Sequence, residues 1–293
     1  MAANTRDIRR RIKSVKNTSQ ITKAMQMVAA AKMRKAQNAA LAGRSYADLL
    51  RKVLASLAGK QDDSPHALLD QREVKKELVL VISTDKGLCG ALNTNLFREV
   101  AKYDPAKTVF VCVGRKGLQY LTRAQREILA DFNLKESFHF LESKQVSKFI
   151  MDKFTAGEVD RVSVAFTDFV NTLTQVPRVT TILPITNFEV ADVLSSAETK
   201  VAAPKAEATE YLFEPSADAV LDAVLPHYVH FQVYQMVLDS RASEHSARMV
   251  AMKNATDNAK QLIKDLTLEY NKVRQAAITT EILEIATAQI ALG

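Results

Sequence analysis

Glycine and proline are distributed so unevenly along this chain that they fix its layout. All seven prolines lie between Pro65 and Pro226. Neither residue interrupts Asn4–Ala42, and neither occurs in the 66 residues from His227 to Leu292. In a helix interior Gly costs about 1 kcal/mol and Pro about 3 kcal/mol relative to Ala, so spans free of both read as helix. At a rise of about 1.5 Å per residue the second span reaches about 100 Å, far beyond an ordinary globular helix. Two long terminal helices around a punctuated centre predict a rod with a head.

The first helix is predicted from Asn4 to Leu57, with Asn4 or Thr5 as its N-cap. Ile8, Ile12, Val15, Ile21, Met25 and Val28 form its apolar stripe. Ala29, Ala30, Ala31, Ala36, Ala39 and Ala40 keep its middle small, so that another helix can approach closely. On the C-terminal helix Leu262, Leu266, Tyr270, Val273 and Ala277 follow coiled-coil spacings. The simplest arrangement returns this helix antiparallel to the first.

The centre alternates between strand and helix signals. Glu77–Ser83, Thr108–Val113, Arg161–Phe166 and Val179–Ile185 are apolar, β-prone runs. Helical stretches stand at Thr94–Lys102, Lys116–Thr122 and Lys144–Phe154. Such alternation predicts a largely parallel sheet. Arg126–Glu142 gives no clear pattern, whereas Ser195–Glu210 is polar, alanine-rich and reads as an exposed loop. The expected class is α/β: a long antiparallel coiled coil of N- and C-terminal helices plus a central, Rossmann-like domain. The expected divisions are 1–60 for the first coiled-coil helix, 75–190 for the α/β domain, 191–215 for loop and foot, and 216–293 for the second coiled-coil helix.

Composition excludes several classes. Two cysteines, Cys89 and Cys112, are too few for a disulfide scaffold and read as buried thiols in a reducing compartment. No run approaches the 18 or so apolar residues of a membrane span. The Arg-rich start resembles an organellar presequence in composition, but its apolar stripe continues in phase into the rest of the helix, which argues against cleavage. Residues 1–60 hold 14 Lys or Arg against two acids, +12, while the whole chain is +7, leaving −5 for the remainder. A basic helix of this kind suits nucleic acid, an anionic membrane surface or an acidic protein, and equally the solvated face of a packed helix.

An α/β centre raises the question of an enzyme. Thr84–Gly90 lies where phosphate-binding loops lie, between strand and helix, and offers backbone amides and Lys86. It matches neither GxxxxGK[ST] nor GxGxxG, so a tight turn is the plainer reading. His227 and His230 share a helix face without a third ligand, which points to amphipathic surface residues rather than a metal site. Glu281 and Glu284 also share a face and read as solvated charges. The GxSxG, CxxC and HExxH motifs are absent. No catalytic, cofactor or metal site emerges from the residues alone.

Four separated blocks carry a family resemblance. Ile21–Met33 (ITKAMQMVAAAKM), Thr84–Asn93 (TDKGLCGALN), Ser243–Asn258 (SEHSARMVAMKNATDN) and Tyr270–Ile285 (YNKVRQAAITTEILEI) resemble, in order, the γ subunit of bacterial F-type ATP synthases. The resemblance implies a non-catalytic central-stalk rotor without cofactors. Its partners would be the α, β and ε subunits and the membrane c-ring, with no nucleic acid and no membrane insertion of its own. Ion-driven rotation of the membrane ring would thereby be coupled to ATP synthesis at the cytoplasmic face of the cell membrane. Contacts to the α/β ring would fall on Met25, Lys86, Arg274, Gln275, Thr279 and Glu281, supported by Arg248 and Glu284. Tyr211 and Glu214, in Tyr211–Pro215, would lie at the foot near ε and the membrane ring. The chain departs from the family at Gln289, which adds bulk near the tip, and at Ala91, where a second Gly is frequent. The alternatives in other classes are a basic coiled-coil nucleic-acid binder and a small-ligand α/β enzyme using Asp85–Gly90.

Overall fold

The computed structural model describes residues 2–43, 46–47, 49–50, 52–54, 66–135, 138–185, 214 and 216–292. In chain order these form α1 (Ala2–Ala42), β1 (Glu77–Ile82), α2 (Leu92–Ala101), β2 (Thr108–Val113), α3 (Arg115–Arg123), β3 (Ile128–Phe132), α4 (Phe140–Thr155), β4 (Arg161–Phe169), β5 (Gln175–Leu183) and α5 (Ala217–Leu292). The chain divides into two compact units. One joins Met1–Ala29 to Met249–Gly293, and the other is Ala30–Arg248.

In the first unit α1 and α5 run antiparallel. The Thr22 and Thr256 hydroxyls meet at 2.7 Å, and Arg9 donates to the Tyr270 hydroxyl at 2.6 Å, so 13 residues forward on α1 match 14 residues back on α5. The seam positions alternate by three and four, with Met25 and Ala255 half-buried at its flank. On α1 they are Thr5, Ile8, Ile12, Val15, Ser19, Thr22, Gln26 and Ala29, and on α5 Met252, Thr256, Ala259, Ile263, Leu266, Tyr270, Val273, Ala277 and Thr280. This is the seam of a coiled coil. It corrects the expected stripe: Ile21 is 60% exposed, Val28 53% and Leu262 46%, while polar Ser19, Thr22 and Gln26 and apolar Ile263 hold the seam. Beyond Thr280 the seam stops, and every residue from 281 to 290 is exposed.

The helix starts earlier than expected, at Ala2, so neither Asn4 nor Thr5 caps it. Alanines at 2 and 3 are the best helix formers and extend the first turn. In the second unit α1 ends before Gly43, whose amide turns back to Ala40 O, an i→i−3 tightening. Helical residues resume between 46 and 54, burying Ala47, Leu50 and Leu54. The single helix predicted to Leu57 is thus interrupted at its first glycine.

The sheet of the second unit has the order β3-β2-β1-β4-β5, parallel except for β5. Side chains alternate across it. Leu78, Leu80, Ile82, Val109, Val111, Val113, Val162, Val164 and Phe166 pack with Val146, Ile150 and Phe154 of α4 and with Leu225, Tyr228, Val229, Val233 and Val237 of α5. Val79, Val81, Phe110, Cys112 and Ala165 pack with Leu96, Val100 and Leu121 of α2 and α3. Burial on both faces explains why β1 and β2 read as continuous apolar runs. The unassigned stretch 126–142 contains edge strand β3, half-buried and carrying Asp131. Pro226 lies inside α5. It removes one helical amide, and Leu221 and Leu225, both buried, anchor the helix ahead of it.

Gly114 turns the chain from β2 into α3 at φ +95, and a methyl there would overlap the Ser83 carbonyl. That close approach lets Gly117 N donate to Ser83 Oγ at 2.7 Å. The loop expected at Ser195–Glu210 lies outside the described residues.

Candidate partner-binding surfaces

The turn after β1 is held from several sides. Thr84 Oγ1 donates to Lys86 O at 2.8 Å and accepts from Asn93 Nδ2 at 2.7 Å. The amides of Arg115 and Lys116 donate to Asp85 Oδ1 (3.1 Å) and Thr84 O (3.0 Å). Arg248 Nη2 reaches the carbonyls of Lys86 and Gly87, both at 3.3 Å, and pairs with Glu244 at 2.8 Å. Arg241 joins the same group through Glu244 at 3.2 Å and Asp85 at 3.6 Å, and donates to Leu134 O at 3.0 Å. The Arg241, Arg248 and Glu244 side chains keep 11%, 11% and 6% of their surface. A guanidinium therefore sits beyond the carboxyl ends of β1 and β3, the side of a parallel sheet on which ligands of doubly wound folds bind. Arg248 faces inward as a support for the turn, while Lys86 is exposed on it.

The remaining residues implicated in ring contact lie on the first unit. Met25 is half-buried beside the seam, and Arg274, Gln275, Thr279, Glu281 and Glu284 are exposed on α5. Thr279 Oγ1 donates to Gln275 O at 3.0 Å, one turn below. Arg274 lies 6.0 Å from the Tyr270 ring centroid, and Arg9 lies 5.4 Å from the same ring. Tyr270 therefore holds a cation from each helix. Lys86 and Arg248 belong to the second unit and the others to the first. Glu214 is exposed, and Tyr211 lies outside the described residues.

The cross-helix pairs Thr22–Thr256 and Arg9–Tyr270 escape a reading that seeks apolar stripes. Their signal is phase: the spacing of Ile8, Ile12 and Val15, carried forward, lands on Ser19, Thr22 and Gln26. The two seam hydroxyls have two protons for three contacts, since Thr22 also faces Ser19 O at 3.1 Å and Thr256 faces Met252 O at 2.8 Å.

The histidine pair is not a surface feature. His230 is buried, with Nδ1 2.6 Å from Ser147 Oγ. Burial, reinforced by Lys144 and His227, pushes its pKa down to about 4. His227 is half-buried between the rings of Tyr46 and Phe140 and is also shifted down, chiefly by desolvation. The helix face expected to be solvated instead packs on α4. Cys89 and Cys112 are buried free thiols as expected, and burial raises both, Cys112 to about 12. Among the described residues no cluster of His, Cys, Asp and Glu is placed to hold a metal, and no helix is long and apolar enough to cross a membrane.

Comparison with known proteins agrees with this arrangement. Residues 4–292 match the ATP synthase family model. The chain is 50% identical to the ATP synthase gamma chain of Methylacidiphilum infernorum, over 99% of this chain and 100% of that one. It is 53% identical to the gamma chain of Opitutus terrae, over 99% of each. Among solved structures, a chain of the Euglena gracilis mitochondrial ATP synthase rotor superposes with a TM-score of 0.68 at 22% identity, covering 95% of this chain and all of that one. A chain from the central stalk and c-ring of the Tetrahymena thermophila enzyme gives 0.59 at 25% identity, covering 80% of this chain and 99% of that one. The chain belongs to the ATP synthase gamma-chain family, the non-catalytic central-stalk subunits of that enzyme.

Proposed function

We propose that this chain couples ion-driven rotation of a membrane c-ring to ATP synthesis by turning within a ring of α and β subunits, with ε beside it. The observation that carries this reading is the end of α5. There, past the last seam position Thr280, Ile282, Leu283, Ile285 and Ile290 are 60%, 59%, 68% and 81% exposed, on turns of α5 that none of the described residues covers. Monomeric proteins seldom leave large apolar side chains so exposed in succession, and a partner that surrounds the helix would cover them on all sides. Residues 1–60 and 216–293 serve as the shaft, 75–190 as the α/β domain, and 191–215 as loop and foot. Met25, Lys86, Arg274, Gln275, Thr279 and Glu281 are the ring contacts, with Arg248 and Glu284 in support, and Tyr211 and Glu214 face ε and the c-ring. Arg274 suits β carboxylates because a guanidinium bonds them through two parallel hydrogen bonds. Catalysis belongs to the ring, and the complex sits at the cytoplasmic face of the cell membrane as a peripheral assembly.

Co-purification tests the assignment. Tagged chain expressed in its native cell is expected to bring down α, β and ε, with one copy of the chain per three β. An α–β assembly that keeps normal rotary coupling after deletion of the chain would overturn it.

A further inference from the structure

We propose that Leu88 is an apolar anchor by which the turn after β1 seats on a subunit of the catalytic ring, next to Lys86; this rests on the ring contact assigned above to Lys86. Leu88 adopts φ +63, a left-handed conformation that is sterically costly for any residue with a side chain and a true outlier for a bulky one. Its side chain is 61% exposed, so burial within the chain does not offset that cost. Glycine, which adopts this conformation freely, stands on either side at Gly87 and Gly90, the latter at φ +62. A turn needed only to connect β1 to α2 would be more stable with glycine at 88 as well.

The turn is also built not to yield. Thr84, Asn93 and Arg248 bond to its backbone or to one another, and the carbonyls of Lys86 and Gly87 are both drawn inward to the Arg248 guanidinium. With its carbonyls tied down, the turn holds an exposed cation and an exposed leucine at fixed positions two residues apart. Strain held in place by surrounding bonds marks sites of recognition, and a side chain fixed before binding loses little entropy on docking. The occupant that fits is a protein surface with a leucine-sized apolar socket rimmed by carboxylate, on the ring subunit that receives Lys86.

The test titrates the full-length chain into purified α–β ring, comparing the parent with Leu88→Gly, Leu88→Met and Lys86→Ala, alongside thermal melts of each free chain. Leu88→Gly relieves the backbone, so its melting temperature is expected to hold or rise while ring affinity falls roughly tenfold or more. Leu88→Met is expected to recover most of that affinity. Unchanged affinity for Leu88→Gly overturns the anchor, and so does a fall in its melting temperature, which would show that the side chain packs within the chain. Lys86→Ala separates the two readings. A loss there with none for Leu88→Gly leaves the ring contact standing and removes the anchor. A Leu88→Gly defect confined to self-association or to binding of anionic vesicles also overturns the proposal.

Discussion

His230 carries a pH dependence that its neighbours determine. Packed on α4 against Ser147, it stays neutral down to about pH 4, whereas an unfolded histidine takes up a proton near 6.5. Between those values the unfolded chain binds more protons than the folded one, so folding weakens as pH falls from about 6.5 toward 4 and is fully favoured above that window. Urea denaturation of the free chain at pH 7 and pH 5 is expected to show this loss, and His230→Gln is expected to reduce it. A His230→Gln chain with the same pH dependence as the parent would assign the effect to other groups. The pair was hidden in the sequence because His227 and His230 at helical spacing look like a polar face. Only the packing of α4, 83 residues away, turns that face inward.

At the scale of elements, the central strands were legible because β1 and β2 are covered on both faces and must be apolar throughout. β3 was not, because an edge strand with one half-covered face tolerates Ala130 and Asp131. The helix pair was legible in existence and direction but not in rotation. Following the large apolar residues selects Ile21 and Val28, while the seam takes Thr22 and Ala29, each one residue further on. The same error places Leu262 where Ile263 belongs. The charged network on the turn after β1 was out of reach for another reason, since Arg248 meets residues more than 160 positions earlier.

The hydroxyl pair in the seam makes a prediction of its own. Replacing both Thr22 and Thr256 by Val removes two polar groups and keeps their shape, which is neutral or stabilising when done together. The double variant is expected to melt no lower than the parent by circular dichroism. Polar seam positions specify register rather than strength, so engineered cysteine pairs across the seam in that variant should crosslink in more than one register. A single register and a lower melting temperature would show that the pair contributes stability instead.

For the molecule as a whole, charge separates what folds the chain from what it does in an assembly. The first 60 residues carry +12 and the rest −5, and the basic side chains Arg6, Arg10, Arg11, Lys13 and Lys16 lie exposed on α1, away from its seam. Arg274 belongs to the same exposed population, with the Tyr270 ring as its neighbour. An exposed cation–π contact contributes about 0.5–1 kcal/mol, so Arg274→Ala is expected to leave the melting temperature of the free chain within a few degrees. In the assembled enzyme it is expected to lower ATP-driven ion pumping relative to ATP hydrolysis. A steep fall in melting temperature with normal pumping per complex would reassign Arg274 to folding.

The stretch of α5 past Thr280 also bears on the fate of chains that find no partner. With 281–290 exposed and unsupported by the seam, this end of α5 is expected to fray in a free chain and to offer proteases an apolar segment. Enclosure by a partner would shield the same segment. Limited proteolysis of the free chain is therefore expected to cut past Thr280 before it cuts the paired part of α5.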